Sequence, residues 1–504
     1  MSAVILPPTS GADAPRGKIK PIVFFVGFTA ALAGLLFGLD VGVIAGANEF
    51  IQKDFGIDDH AIETIVSALL WGAVFGVLIS GFFSLRFGRR GTILVSALVF
   101  ALGSIFCAFA PTPGALVIAR FFLGIAVGMA SFVAPLYLSE IAPQSVRGAL
   151  IAMYQLMITI GIVLAFLSDT FFATYADLEP LAAEMSRSLS SLAGGRGQMV
   201  MHGYFAMPWR WMLGIVAVPA ILMFLGMLLL PESPRWLVLK NRGPKALEVL
   251  RRLANSEQEA ERELAEIESS LQVKQKGFDL FRQNRNFRRA IFLGVGLQVI
   301  QQFTGINVIM YYAPRILQEA GFSSTAEQMW GTVLIGTINV LATFIAIAFV
   351  DRLGRKPIMY TGFIVMGAGM LSLGGLFHFG LGEAAAQTMS YFAVASLVVF
   401  IIGFAMSAGP IIWILCAEIF PLAGRDFGIT CSTATNWTAN AIVGMTFLTM
   451  LNVLGPGNTF LVYGALNAIF IVFFLALVPE TKGVSLESIE RKLLDGARLK
   501  QIGR

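Results

Sequence analysis

Twelve runs of roughly 20 apolar residues, each the length a helix needs to cross a bilayer, constrain this chain more than any other feature. They fall at about 21–47, 62–85, 92–111, 114–138, 149–171, 209–230, 290–314, 329–350, 357–378, 391–415, 427–451 and 457–478. In lipid every backbone N–H and C=O must be paired inside the fold, so each run is predicted as a helix and the chain as an all-α membrane protein. Composition agrees. Charged residues make up 13 % of the 504, against 56 % hydrophobic, and a soluble domain carries about 25 % charge. The deficit extends along nearly the whole chain, which excludes one water-soluble core. The first run, Pro21–Ala47, exceeds the apolar stretch of about 7–15 residues in a cleavable leader, so it is expected to remain as a span.

The Lys and Arg residues set the orientation. With the N-terminus inside, 30 of the 36 lie on the cytoplasmic side and five outside: Lys53, Arg187, Arg196, Arg210 and Arg315. Arg120 lies within a span. Basic residues concentrate on the cytoplasmic side of membrane proteins, so both termini are expected there, in the inner membrane of a cell. The net charge of +5 then reflects topology rather than a nucleic-acid partner.

The halves repeat. Leu85 to Arg90 (LRFGRR) follows span two, and Asp351 to Lys356 (DRLGRK) follows span eight. Glu140 precedes Arg147 by seven residues, as Glu418 precedes Arg425. Pro231-Glu232-Ser233 ends span six, and Pro479-Glu480-Thr481 ends span twelve. Three matched motifs in one order predict two pseudo-symmetric six-helix bundles with a substrate between them near the midplane. The expected division is a tail at 1–20, a bundle at 21–230, a cytoplasmic linker at 231–289, a bundle at 290–478 and a tail at 479–504. The linker contains a helical run, Ala246–Gln275. An insert at about 173–206 joins spans five and six.

Only two charges lie deep in the spans, Asp40 and Arg120, each about seven residues from the outer end of its own. A charge at membrane depth costs roughly 2.5–3.5 kcal/mol on insertion scales and marks a pathway more often than a lipid contact. Arg does not titrate in this range, so Asp40 is the candidate proton carrier and Arg120 its tuner; the plainer reading is a static ion pair. The second half has no deep charge but several amides: Gln298, Gln301, Gln302, Asn307, Asn339 and Asn436. Amides both donate and accept, and the indoles of Trp413 and Trp437 offer flat apolar faces. This set suits a neutral polyol better than an ion or a lipid. Gly305 is expected to bend span seven so that Gln301 and Asn307 reach one ligand. The alternative is interhelical glue, worth roughly 0.6 kcal/mol per contact, and Gln298 is assigned that role.

Other chemistry is not indicated. Cys107, Cys416 and Cys431 lie in apolar runs without metal or disulfide spacing, so no metal or cofactor is implied. His60, His202 and His378 lie in or beside outer loops. No GxxxxGK[ST], HExxH or GxSxG pattern points to an enzyme or an ATP-driven pump.

These motifs resemble the major facilitator superfamily and, within it, the sugar porter family. The resemblance runs from about Ile22 to Gly503. It is carried by Gly88-Arg89-Arg90, Pro231-Glu232-Ser233-Pro234-Arg235, Gln301-Gln302-Phe303-Thr304-Gly305-Ile306-Asn307, Asp351 to Lys356 and Pro479 to Gly483. Phe37-Gly38-Leu39-Asp40 and Gly424 to Thr430 are similar to the bacterial galactose–proton and arabinose–proton branch. The resemblance implies proton-coupled symport of a monosaccharide, working as a monomer. It implies sugar contacts at Gln155, Gln301, Gln302, Asn307, Asn339, Trp413 and Asn436. It also implies a cytoplasmic salt-bridge latch, holding the outward-open form, among Glu140, Arg147, Glu232, Asp351, Arg355, Glu418, Arg425 and Glu480. Topology-setting charge and helix capping are the plainer reading of those eight. Leu85 departs from the family, standing where the loop usually has Asp. A facilitative uniporter is the main rival, and Asp40 argues against it. A non-transporting sugar receptor would carry a long signalling tail, whereas about 25 residues follow span twelve.

Overall fold

The structure, a computed structural model, describes residues 20–142, 147–175, 207–254, 256–271, 277–379, 386–484 and 486–503. Among these are ten helices long and apolar enough to cross a membrane. Two of the ten, Asp59–Ala108 and Arg425–Leu477, have 50 and 53 residues. At 1.5 Å per residue each would run about 75 Å, more than twice the bilayer core. Each breaks at a glycine, Gly88 and Gly455, with φ near +80 and extended ψ. Each is therefore two spans, and the total is the expected twelve.

Span one is Pro21–Phe55, closed by Gly56 in the left-handed conformation. Span four is Pro113–Ile141, capped by Thr112, and span five is Arg147–Thr170. Span six is Pro208–Ile215 continued by Ala217–Leu229. Span seven is split into Arg285–Phe303 and Ile306–Glu319. Spans eight and nine are Thr325–Leu353 and Arg355–Phe379. Span ten is split at Ser407 into Ala386–Met406 and Ala408–Ile419. The charged linker differs from its single expected helical run. Gly243–Leu253 and Glu257–Leu271 are separate helices, because the chain turns extended at Ala254.

Within the first half the helices pack backbone to backbone. Gly34, Gly38, Gly42 and Gly46 line one face of span one against span five, and a Cβ on Gly38 would stand 1.9 Å from the Ile158 carbonyl oxygen. Small residues let membrane helices approach this closely where lipid supplies no hydrophobic drive.

The two ends of the bundle differ. At the end carrying Lys20, the linker helices and the Gly-Arg motifs, here called the basic end, the strongest contacts lie within each half. At the opposite end hydrogen bonds cross between halves. Glu63 accepts from the Thr449 N–H and hydroxyl at 2.8 and 2.6 Å. Asp59 accepts from Asn452 at 2.9 Å, and Asn48 donates to the Tyr311 carbonyl at 3.1 Å. This end is closed.

Candidate functional site

Asp40 and Arg120 face each other inside the first half, 2 % and 1 % exposed. Neither faces lipid. The pair is loose: the nearest approach is 4.0 Å, and the Arg120 Nε donates to the Ile65 carbonyl at 2.9 Å instead. One guanidinium nitrogen of Arg120 is buried without a hydrogen-bond partner. The backbone oxygen of Ile65 thus holds the arginine in place, leaving Asp40 without a direct donor among the described residues. Tyr311, from span seven, is close enough to interact electrostatically with both, and its hydroxyl accepts from Asn440 at 2.9 Å. The charged pair of one half therefore adjoins the other half.

The amides of spans seven and eleven form two hydrogen-bonded groups. Asn436 donates to Gln298 and Gln301 at 2.6 and 2.7 Å. Gln301 donates to the Ala408 and Gly409 carbonyls at 2.8 and 3.2 Å. These carbonyls open the second segment of span ten, next to its break at Ser407. Gln302 accepts from Asn307, and the two meet because span seven bends at Gly305. That residue has φ +99, and a Cβ there would lie 2.9 Å from the Met370 methyl. Gln298, assigned to glue, does join helices. Besides Asn436 it reaches the Cys416 sulfur at 3.5 Å. Asn339 in span eight is 6 % exposed, and Gln155 in span five is half-buried. Neither joins either group through a described hydrogen bond. Trp413 keeps 37 % of its surface exposed, whereas Trp437 is 3 % exposed and packs on Phe37 across the halves at 5.0 Å.

The basic end carries two matching clamps. In the first half Arg89 makes two hydrogen bonds to Glu140, at 2.8 and 2.9 Å. Ser233 also donates to Glu140. Glu232 accepts from the backbone N–H groups of Arg89, Arg90 and Ser233 at 2.8–3.1 Å. In the second half Arg355 donates to Glu418 at 3.0 Å, and Thr481 donates to Glu418 as well. Glu480 accepts from the N–H groups of Arg355, Lys356 and Lys482 at 2.9–3.1 Å. Burial raises the Glu232 carboxyl from its usual range, against the pull of those N–H groups. Burial also acts on Glu480, but there the three N–H groups prevail and hold it below that range. The arginine of each clamp thus comes from the Gly-Arg motif. Arg425 has one buried nitrogen without a hydrogen bond, and the side chains of Arg147 and Asp351 lie outside the described residues.

Sequence reasoning quoted Arg89 only within a motif, and did not assign Arg89, Glu63 or Asp169 a place in the site. Glu63 and Asp169 are each 1 % exposed, as buried as Asp40, so Asp40 and Arg120 are not the only shielded charges. Asp169 accepts from the Gly46 N–H at 3.2 Å. Both carboxylates stand within a turn or so of a span end, where an acid in the sequence looks like a loop residue.

Residues 26–493 match the family model described as sugar (and other) transporter. The chain is 56 % identical over 484 residues to the galactose-proton symporter of Escherichia coli (strain K12), covering 96 % of this chain and 97 % of that one. It is 49 % identical to the arabinose-proton symporter of the same strain, covering 98 % and 99 %. Among solved structures it is similar to the xylose transporter XylE from E. coli in a partially occluded inward open conformation. The TM-score is 0.75 and the identity 30 %, with 92 % of this chain and 100 % of that one covered. A second, XylE as a proton:xylose symporter of the major facilitator superfamily bound to 6-bromo-6-deoxy-D-glucose, gives a TM-score of 0.74 at 30 % identity, covering 92 % and 98 %. With its matched clamps, twelve spans and this family model along nearly its whole length, the chain belongs to the sugar (and other) transporter family.

Proposed function

We propose that the chain imports a neutral monosaccharide together with protons, by alternating access. The observation that carries this reading is a division of labour between halves. The first holds a loosely paired buried acid, Asp40 with Arg120; the second holds two hydrogen-bonded groups of uncharged amides, Asn436 with Gln298 and Gln301, and Gln302 with Asn307. A carboxyl without a direct donor can gain and lose a proton as its surroundings change. Amides match sugar hydroxyls, which both donate and accept. Galactose and arabinose, the cargoes in the names of the two E. coli relatives, are the first candidates. Gln155, Gln301, Gln302, Asn307, Asn339, Asn436 and Trp413 are assigned to the sugar, and Asp40 and Arg120 to the proton.

Lys and Arg counts favour the basic end as cytoplasmic, with both termini inside, and the opposite end as outer. The bundles are taken as 21–230 and 290–478, joined by a cytoplasmic linker. One copy holds both sites, so the monomer is the transporting unit. In the closed-outside state described here, Gln301 spends both amide hydrogens on span ten. Sugar contact at Gln301 then requires span ten to shift, which would tie occupancy to movement.

The test is uptake of radiolabelled galactose and arabinose into proteoliposomes with and without an imposed proton gradient, with competing sugars. Accumulation above equilibrium only with the gradient is expected. Equal uptake in both, with no alkalinisation outside, would mean facilitated diffusion.

A further inference from the structure

Glu63 is a carboxylate of the first half whose two oxygens are held by one residue of the second. Thr449 supplies its backbone N–H to Oε1 and its hydroxyl to Oε2. Glu63 itself is 1 % exposed. The only basic side chain near it among the described ion pairs is the His60 imidazole, on its own helix, 3.6 Å away and largely exposed. One turn nearer the surface, Asp59 accepts from Asn452, so the acids at i and i+4 of span two face the donors at i and i+3 of span eleven. Two rungs join the helices: in the inner one a buried Glu63 meets an exposed Thr449, and the outer one lies at the surface. Beside them a narrow recess runs inward from Gln52, Asp59 and Arg315 at the outer face to Ala45, Ile62, Tyr312 and Leu448.

Other charges of this end work differently. Arg210 donates to the Ala108 and Ala110 carbonyls and Asp54 accepts from Trp209, all within the first half. Those contacts survive any rigid rocking of one half against the other. The Glu63 contacts cannot. A buried carboxylate without donors is costly, so Glu63 must exchange Thr449 for water whenever the outer seam opens. We infer that Glu63, through Thr449, is a gate residue of the transport cycle that sets the balance between outward-closed and outward-open forms. This rests on the proposed transport function only for the direction of the cycle, since the balance itself exists without any sugar.

The experiment places a reporter cysteine at Ala45, 3 % exposed at the inner end of the recess, in the full chain in proteoliposomes. Its reaction with a membrane-impermeant maleimide applied from the side of the outer end is timed without sugar. Glu63→Gln should speed labelling by about five- to thirtyfold, the range that loss of a contact of this class produces in a two-state balance. Thr449→Val, which removes only the hydroxyl, should give a smaller rise, and Glu63→Asp one smaller than Glu63→Gln. Apparent affinity for external sugar should strengthen in the same order while maximal net uptake falls, because the outward form becomes more populated; a purely structural role would not improve affinity. Unchanged labelling in both Glu63→Gln and Thr449→Val overturns the inference. Should Glu63→Gln fail to fold, Thr449→Val decides alone. If labelling responds but no sugar is carried, the gate stands and the proposed function falls; the reverse result removes the gate and leaves that function.

Discussion

Two arginine–carboxylate pairs in the first half share their chemistry and differ in geometry. Arg89 grips Glu140 through two hydrogen bonds, the arrangement that makes such pairs strong and directional. Arg120 approaches Asp40 only to 4.0 Å while its Nε is committed to a carbonyl. The first geometry fixes a charge; the second leaves one able to change. Asp40→Asn is therefore expected to abolish sugar accumulation while exchange of sugar across the membrane continues, measured in proteoliposomes with equal sugar on both sides. Retained uphill uptake would exclude Asp40 as the carrier. The paired acids Glu232 and Glu480 yield a second prediction. Glu480 is held below its usual range, so its stabilisation is present above that range and lost as pH falls through the lowered value. Glu232 is raised, so its relative contribution is greatest in acid and declines as pH rises through the raised value. In thermal unfolding of detergent-solubilised protein between about pH 4 and 7.5, a window that brackets the ordinary carboxylate range, the Glu480→Gln deficit should widen with pH and the Glu232→Gln deficit narrow.

At the scale of single helices, the breaks matter as much as the spans. Span seven needs Gly305 because a left-handed residue there lets Gln302 and Asn307 meet. An L side chain in that conformation costs about 1–2 kcal/mol, so Gly305→Ala should weaken sugar binding in a direct binding assay, provided these amides contact the sugar. Gly38→Ala has nowhere to put its methyl beside the Ile158 carbonyl oxygen. The expected cost is about 1–3 kcal/mol, typical of overpacking, read as a lower midpoint of thermal aggregation. The spans were legible in the sequence because lipid admits so few backbone solutions, and the bend at Gly305 because a glycine stood between two amides. The break at Ser407 was not, since its partner, Gln301, lies more than 100 residues away. Separation along the chain likewise hid Arg89 as the partner of Glu140, 51 residues on, and Thr449 as that of Glu63, 386 residues on. The amide set was legible by residue type, and the polarity of each amide by contact alone.

At the scale of the molecule, the described contacts separate into those that travel with a half and those that span the seam. Rocking of rigid halves predicts different results for the two kinds. Cysteines replacing Asp59 and Asn452, joined by a short cleavable thiol cross-linker, should block sugar uptake until the linker is cut. Cysteines replacing Ala320 and Ser390, neighbours within the second half at the same end, should be joined without that effect. Block in both would mean that the halves do not move as units.

The tilted contact of Phe37 with Trp437 has an optical consequence. An indole wedged at the junction of the bundles is shielded while they are pressed together there and meets water when they part. A variant keeping Trp437 as its sole tryptophan would therefore shift its emission to the red as that junction hydrates, so the cycle could be followed by fluorescence in real time without an attached dye.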